Sequence, residues 1–160
     1  MGDGTGQPAA KQNILQYRNP ALTVDGVVLH RQNNGPEGNS CSVLLIERGR
    51  DPFKGRHALP GGFVDYGEDI NDAINREIQE ETGLQGLPFR QFRTFGNPDR
   101  DPRGHTVSVV YVAMVIGEKP EVKGADDAAD ADWFPISRLP DLAFDHAHIL
   151  EKVIEVLKIC

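Results

Sequence analysis

A chain of 160 residues with 39% hydrophobic and 26% charged side chains has the size and make-up of one globular domain able to bury a core. No apolar run approaches the roughly 20 residues a helical membrane span needs, so no membrane insertion is expected. The net charge of −7 argues against nucleic acid as a partner of the whole surface, while permitting a local basic pocket for an anionic ligand.

The first twenty residues are polar and rich in Gly, Gln and Pro, without the charged-then-apolar layout of a secretory leader. Residues 1–18 are therefore expected to be a flexible N-terminal segment, residues 19–160 a single domain, and the location cytoplasmic. "ALTVDGVVLHR" (21–31) reads as a strand, "QNNGPEGNS" (32–40) as a turn and "CSVLLIER" (41–48) as a second strand. Cys41 and Cys160 form neither a metal-ligand pair nor a disulfide framework, and free thiols are expected. A basic loop follows over 49–62, with Arg50, Lys54, Arg56 and His57, then a short strand near 63–65. The spacing predicts a helix from about Asp69 to Thr82, stopped at Gly83. Strands are expected at "FRQFRTFGN" (89–97) and "HTVSVVYVAMVIG" (105–117), a loop through "EKPEVKGADDAADA" (118–131), a short apolar "DWFPI", and a last amphipathic helix over about 146–159. Trp133 and Phe134 are expected in the core. Strands interleaved with two helices predict an α/β fold with a mixed sheet covered by helices.

The central helix holds an anomaly. Ile70, Ala73 and Ile74 define its inward stripe, with Asn71, Asp72, Asn75, Gln79 and Thr82 on the other side. Seven residues on, the stripe becomes Glu77, Glu80 and Glu81, and two helical turns rotate the pattern by only about 20°. Three neighbouring carboxylates then face inward, where they repel one another and lose hydration. Arg76 can reach Glu80, but one guanidinium cannot satisfy all three. A hard divalent cation can, since Mg²⁺ takes oxygen ligands and is often held by carboxylates together with substrate phosphates. A solvated acidic patch is the competing reading. Gly61 and Gly62 let the backbone approach a ligand closely, and Gly62 is followed after five residues by Glu68 and after seven more by Arg76-Glu77-Ile78-Gln79-Glu80-Glu81-Thr82-Gly83-Leu84.

These 23 residues, 62–84, resemble the Nudix box at every fixed position. The resemblance implies a Nudix-type α/β/α sandwich and hydrolysis of a nucleoside diphosphate linked to another moiety. It implies Mg²⁺ or Mn²⁺ on Glu77, Glu80 and Glu81, with help from the Gly62 carbonyl, support from Glu68 and orientation of a glutamate by Arg76. The metal would clamp phosphate oxygens and activate water for in-line attack. The general base stays open between Glu77 or Glu80 and an aspartate of the downstream loop, Asp126, Asp127, Asp130 or Asp132.

Outside the box, "FGNPDRDPRGHTVSVVYVA" (95–113), with Pro98, and "LAFDHAHIL" (142–150) resemble the ADP-ribose pyrophosphatase branch. That implies a small-molecule nucleotide substrate, ADP-ribose, giving AMP and ribose 5-phosphate, and a homodimer. Asp99, Arg100, Asp101 and Arg103 could equally pair among themselves in a turn. Arg48, directly after a strand, is the preferred phosphate ligand. Arg50 and Pro98 complete the expected substrate-side set, although Arg50, Lys54 and Arg56 read equally well as surface residues. His57 could stack or pack. His105, His146 and His148 lack a triad partner. The alternatives are another Nudix pyrophosphohydrolase, acting on oxidised nucleoside triphosphates, dinucleoside polyphosphates or nucleotide sugars, and a non-catalytic ADP-ribose sensor. Intact glutamates and a single helix after Ala143 speak against the sensor.

Overall fold

A computed structural model describes residues 18–35, 38–124 and 128–159. The expected N-terminal segment up to residue 17, Asp126, Asp127 and Cys160 lie outside them. The elements run β1 (Ala21–Gly35), β2 (Gly38–Arg48), β3 (His57–Ala58), β4 (Gly61–Phe63), α1 (Ile70–Thr82), β5 (Arg90–Phe95), β6 (Thr106–Ile116), β7 (Ala128–Pro135) and α2 (His146–Leu157).

β1 is the axis of the mixed sheet. It runs parallel to β6 from Ala21↔Thr106 to Arg31↔Ile116, and interior parallel strands are covered on both faces, which accounts for the unbroken apolar run of β6. The other edge of β1 is shared. β2 pairs with Leu29–Gly35, whereas β4 pairs with Thr23–Asp25. β2 diverges to take β3 at Ile46 and Glu47 and holds β7 along its far edge. Residues 57–63 thus fill a fork between β1 and β2.

Side chains alternate across the sheet. Val24, Val28, Leu44 and Ile46 pack with Ala73, Ile74 and Ile78 of α1 on one face. Val27, Leu29, Val43 and Leu45 pack with Ile149, Leu150 and Val153 of α2 on the other. Each fully buried aliphatic side chain contributes roughly 1.5–3 kcal/mol, so two apolar clusters clamp the sheet into the expected α/β/α sandwich.

α1 starts where Asp69 accepts a hydrogen bond from Asn71 N and ends at Gly83, whose φ of 76° is left-handed. Its stripe differs from the expectation. Ile74, Ile78 and Thr82 follow one another at i+4 spacing and are buried, and the Thr82 hydroxyl donates to Ile78 O at 2.6 Å. Of the displaced stripe only Glu81 is buried; Glu77 is half-buried and Glu80 exposed.

Three further corrections concern the strands. Most of the expected turn at 32–40 belongs to β1 and β2. The expected loop ends early: its residues 128–131 open β7, which points Ala131 and Trp133 inward and Asp130 and Asp132 outward, with Ala128 also inward across a register shift, an alternation that its alanines disguise, since alanine has low strand preference. Cys41 is disulfide-bonded rather than free. Trp133 is buried and Phe134 packs against the α2-side cluster, as expected.

Candidate active site

The fork opens into a cleft of about 500 Å³. Its floor is β1 and the turn 58–63. Arg76, Glu77, Glu80 and Glu81 of α1 form one wall. Arg48 to Asp51, the loop residues Arg100, Asp101 and Arg103, and Phe144 with His146 close the other sides.

The turn and the acidic helix are joined through backbone. Gly61 N donates to Glu81 Oε2 at 2.9 Å. Gly62 lies so close to Glu77 that a Cβ there would stand 2.5 Å from Glu77 Oε1. Burial pushes the Glu81 carboxyl up to about 8, against the Gly61 hydrogen bond, with the charges of Glu77 and Asp25 adding to the rise. Burial also raises Glu77, against the hydrogen bond from Arg76.

Arg76 is the counter-charge. Its Nε and Nη2 reach Glu68 Oε1 and Oε2 at 2.7 and 2.9 Å, its Nη1 reaches Glu77 Oε1 at 2.7 Å and Glu80 Oε2 at 3.2 Å, and Nη2 also donates to Phe63 O at 3.1 Å. The hydrogen bond from Arg76 holds Glu68 down to about 2, while the Glu68 contact raises the guanidinium further above its ordinary range. Among the described residues no three acidic or histidine side chains already converge as a metal cage, because the guanidinium stands between Glu77 and Glu80 while Glu81 is turned to Gly61.

The donor set fits a divalent cation all the same. Burial and neighbouring carboxylates resist the ionisation of Glu77 and Glu81, a cost that a bound cation would relieve, and an all-oxygen set suits Mg²⁺ or Mn²⁺ rather than softer metals. Glu77, Glu80 and Glu81 could hold such an ion, with the Gly62 backbone against Glu77.

Of the residues expected on the substrate side, Arg48 and Arg50 line the cleft and exposed Pro98 does not. Arg48 donates to Pro52 O at 2.8 Å and Arg50 O at 3.4 Å and lies 4.7 Å from the Phe144 ring centroid. Asp130 and Asp132, two of the general-base candidates, stand on β7 beside Glu47 and His57 in a separate small depression. The fixed strand pairing of β7 keeps them there, and His57 packs edge-on against Phe134 at 4.8 Å.

Several residues of the cleft escape a reading of the sequence. Asp25 is buried on β1, where it accepts from the Ser108 hydroxyl and lies 3.7 Å from both Arg100 Nη2 and His146 Nε2. His146 accepts from Leu59 N through Nδ1 at 2.9 Å, so its proton sits on Nε2, and burial lowers its pKa despite the Asp25 and Asp145 charges. Arg100 clamps Asp145 at 2.7 and 2.9 Å, while Arg103 pairs with Asp101. The loop therefore pairs only partly with itself. The one available signal was the polar Asp25 interrupting an apolar strand.

Comparisons with known proteins agree with this geometry. The NUDIX domain model matches residues 20–155. The chain is 44% identical over 144 residues to an ADP-ribose pyrophosphatase of Methanocaldococcus jannaschii, covering 88% of this chain and 79% of that protein. It is 34% identical to the ADPR responsive transcriptional repressor NtrR of Acinetobacter baylyi, covering 89% of this chain but only 56% of the repressor. Among solved structures, the NUDIX domain of Shewanella oneidensis NrtR complexed with ADP ribose superposes with a TM-score of 0.80 at 30% identity, over 92% of this chain and 95% of that one. The chain belongs to the Nudix family of hydrolases.

Proposed function

We propose that this chain hydrolyses the diphosphate of ADP-ribose to AMP and ribose 5-phosphate, using Mg²⁺ or Mn²⁺ seated on Glu77, Glu80 and Glu81. The observation behind it is the set of clustered, partly desolvated glutamates locked against the Gly61-Gly62 turn, on a chain 44% identical to an ADP-ribose pyrophosphatase. Bound metal would neutralise phosphate charge and lower the pKa of a water so that it can attack phosphorus. The chain's own residues supply the rest. Arg76 holds Glu77 and Glu80 in register with Glu68, and Glu77 or Glu80 takes the proton of the attacking water. Arg48, stacked on Phe144 and hydrogen-bonded to carbonyls, offers its positive charge to phosphate, with Arg50 at the cleft edge. Action in the cytoplasm as a homodimer, with the nucleotide as partner, completes the reading.

The test is product analysis with ADP-ribose, a nucleoside triphosphate, a dinucleoside polyphosphate, NADH and a nucleotide sugar, each with Mg²⁺ and with a chelator. Metal-dependent AMP release chiefly from ADP-ribose supports the assignment, and preference for another compound overturns it. The likeness to a repressor described as ADPR responsive supports a second reading, an ADP-ribose sensor. Tight ADP-ribose binding without turnover of any compound would establish it.

A further inference from the structure

Arg103 lies outside the metal face but inside the same cleft. Its guanidinium sits 5.1 Å from the ring centroid of Phe63 on β4 and 5.2 Å from that of Phe144, so it spans the cleft between two aromatic lips. Arg48 lies 4.7 Å from the same Phe144 ring. Both guanidiniums thus lie against one phenyl ring inside the cleft, where an entering anion would be attracted by both. Their mutual repulsion contributes to lowering Arg48, behind its burial.

Their existing partners leave N–H donors to spare. Asp101 engages Arg103 through Nε and Nη2 only, whereas a guanidinium carries five N–H donors in a planar fork. Asp101 also accepts from Arg103 N at 2.9 Å, which locks the base of the side chain. The seat itself is strained: Phe144 has φ of 53°, a left-handed conformation that non-glycine residues adopt rarely and that clusters at ligand clamps.

We propose that Arg103 and Arg48, seated together on Phe144, form a second anion subsite that takes the substrate phosphate remote from the glutamates, making Arg103 a determinant of preference for a diphosphate. The subsite deepens the proposed diphosphate hydrolysis and rests on it for the identity of the second phosphate. A diphosphate would then lie across the cleft, one phosphoryl group at the acidic helix and the other under the arginine pair.

The experiment compares the wild-type chain, R103Q and R103K. Binding of inorganic pyrophosphate is titrated calorimetrically in chelator, and KM and kcat are measured with Mg²⁺ on whichever diphosphate the wild type cleaves. The expected result for R103Q is pyrophosphate affinity reduced about tenfold or more, with KM rising further than kcat falls. R103K preserves the charge facing Asp101 but not the planar fork, so an affinity loss of at least about threefold is expected, and this variant decides if R103Q does not fold. Wild-type affinity in a folded R103Q or R103K, or no pyrophosphate binding by the wild type, overturns the subsite. A wild type that cleaves a compound other than ADP-ribose overturns the substrate assignment alone, because the pyrophosphate titration needs no turnover.

Discussion

Gly62 and Glu77 are mutually dependent: the carboxylate fills the space a side chain at 62 would occupy, with all three of its terminal heavy atoms within 2.7 Å of an ideal Cβ. Those atoms are the far end of a flexible chain, so Gly62→Ala should fold and swing Glu77 aside. Hydrolysis should fall at least about tenfold, within the roughly 10–100-fold range seen when support of a metal ligand is lost. Gly61→Ala is a different case. Its Cβ would stand 2.1 Å from Val24 O at a φ of 155°, so it should break β1–β4 pairing and lower the melting temperature. Thermal unfolding and activity, measured side by side, separate the two.

Replacing Glu80 or Glu81 by Gln should abolish hydrolysis by about 100-fold or more while the fold persists. Glu81→Gln should stabilise the metal-free chain near neutral pH, because the wild type must bind a proton at this buried group on folding, whereas the amide is neutral throughout and still accepts from Gly61 N. Near-full activity in both variants, with circular dichroism unchanged, would refute the role given to the acidic helix.

Stability in chelator should fall as pH rises from about 4.5 to 8. Glu81 is raised above its ordinary value, to about 8, so the folded state binds this proton more tightly than the unfolded one. The contribution is complete below the unfolded pKa and is lost as pH climbs through the folded one. Glu68, lowered to about 2, acts oppositely in a separate window: its contribution is present above about 4.5 and lost as pH falls toward 2. Urea unfolding of wild type and E81Q between pH 5 and 8 checks the first effect, since E81Q should flatten the slope.

Arg76→Ala should cost about 1–3 kcal/mol in urea unfolding, the scale of losing charge-assisted hydrogen bonds in a partly buried network. It should also reduce activity, because Glu77 and Glu80 lose the donor they share. A double-mutant cycle with Glu68→Gln should show the two substitutions to be non-additive, since the residues share two hydrogen bonds.

What could be read from the chain beforehand was local or periodic. The α1 boundaries at Asp69 and Gly83 follow from capping chemistry, and the Gly62 to Leu84 spacing pointed to the acidic wall of the cleft. Thr82 was placed on the wrong side, and Ile78 was left out of the stripe, because a stripe extended by seven residues drifts from a 3.6-residue helix. β7 was missed because alanines and aspartates hide its alternation. The hidden half of the cleft depends on long-range assembly. Asp25 meets Arg100 and His146 only because β1, the 97–104 loop and the start of α2 converge, and no spacing along the chain announces that.

The fork between β1 and β2 separates two kinds of change the protein can absorb. Each strand is held along its outer edge, β1 by eleven parallel pairs with β6 and β2 by β7, so the floor beneath the glutamates has little freedom to shift. The opposite rim comes from connecting segments, the stretch after β2, the loop before β6 and the residues before α2, whose backbones lie outside the named strands and are held by turns and single bonds such as Ala143 N to His57 O. New ligand preferences can therefore arise by rewriting the rim while the reacting centre keeps its geometry, and one scaffold can exchange substrates without reinventing its chemistry.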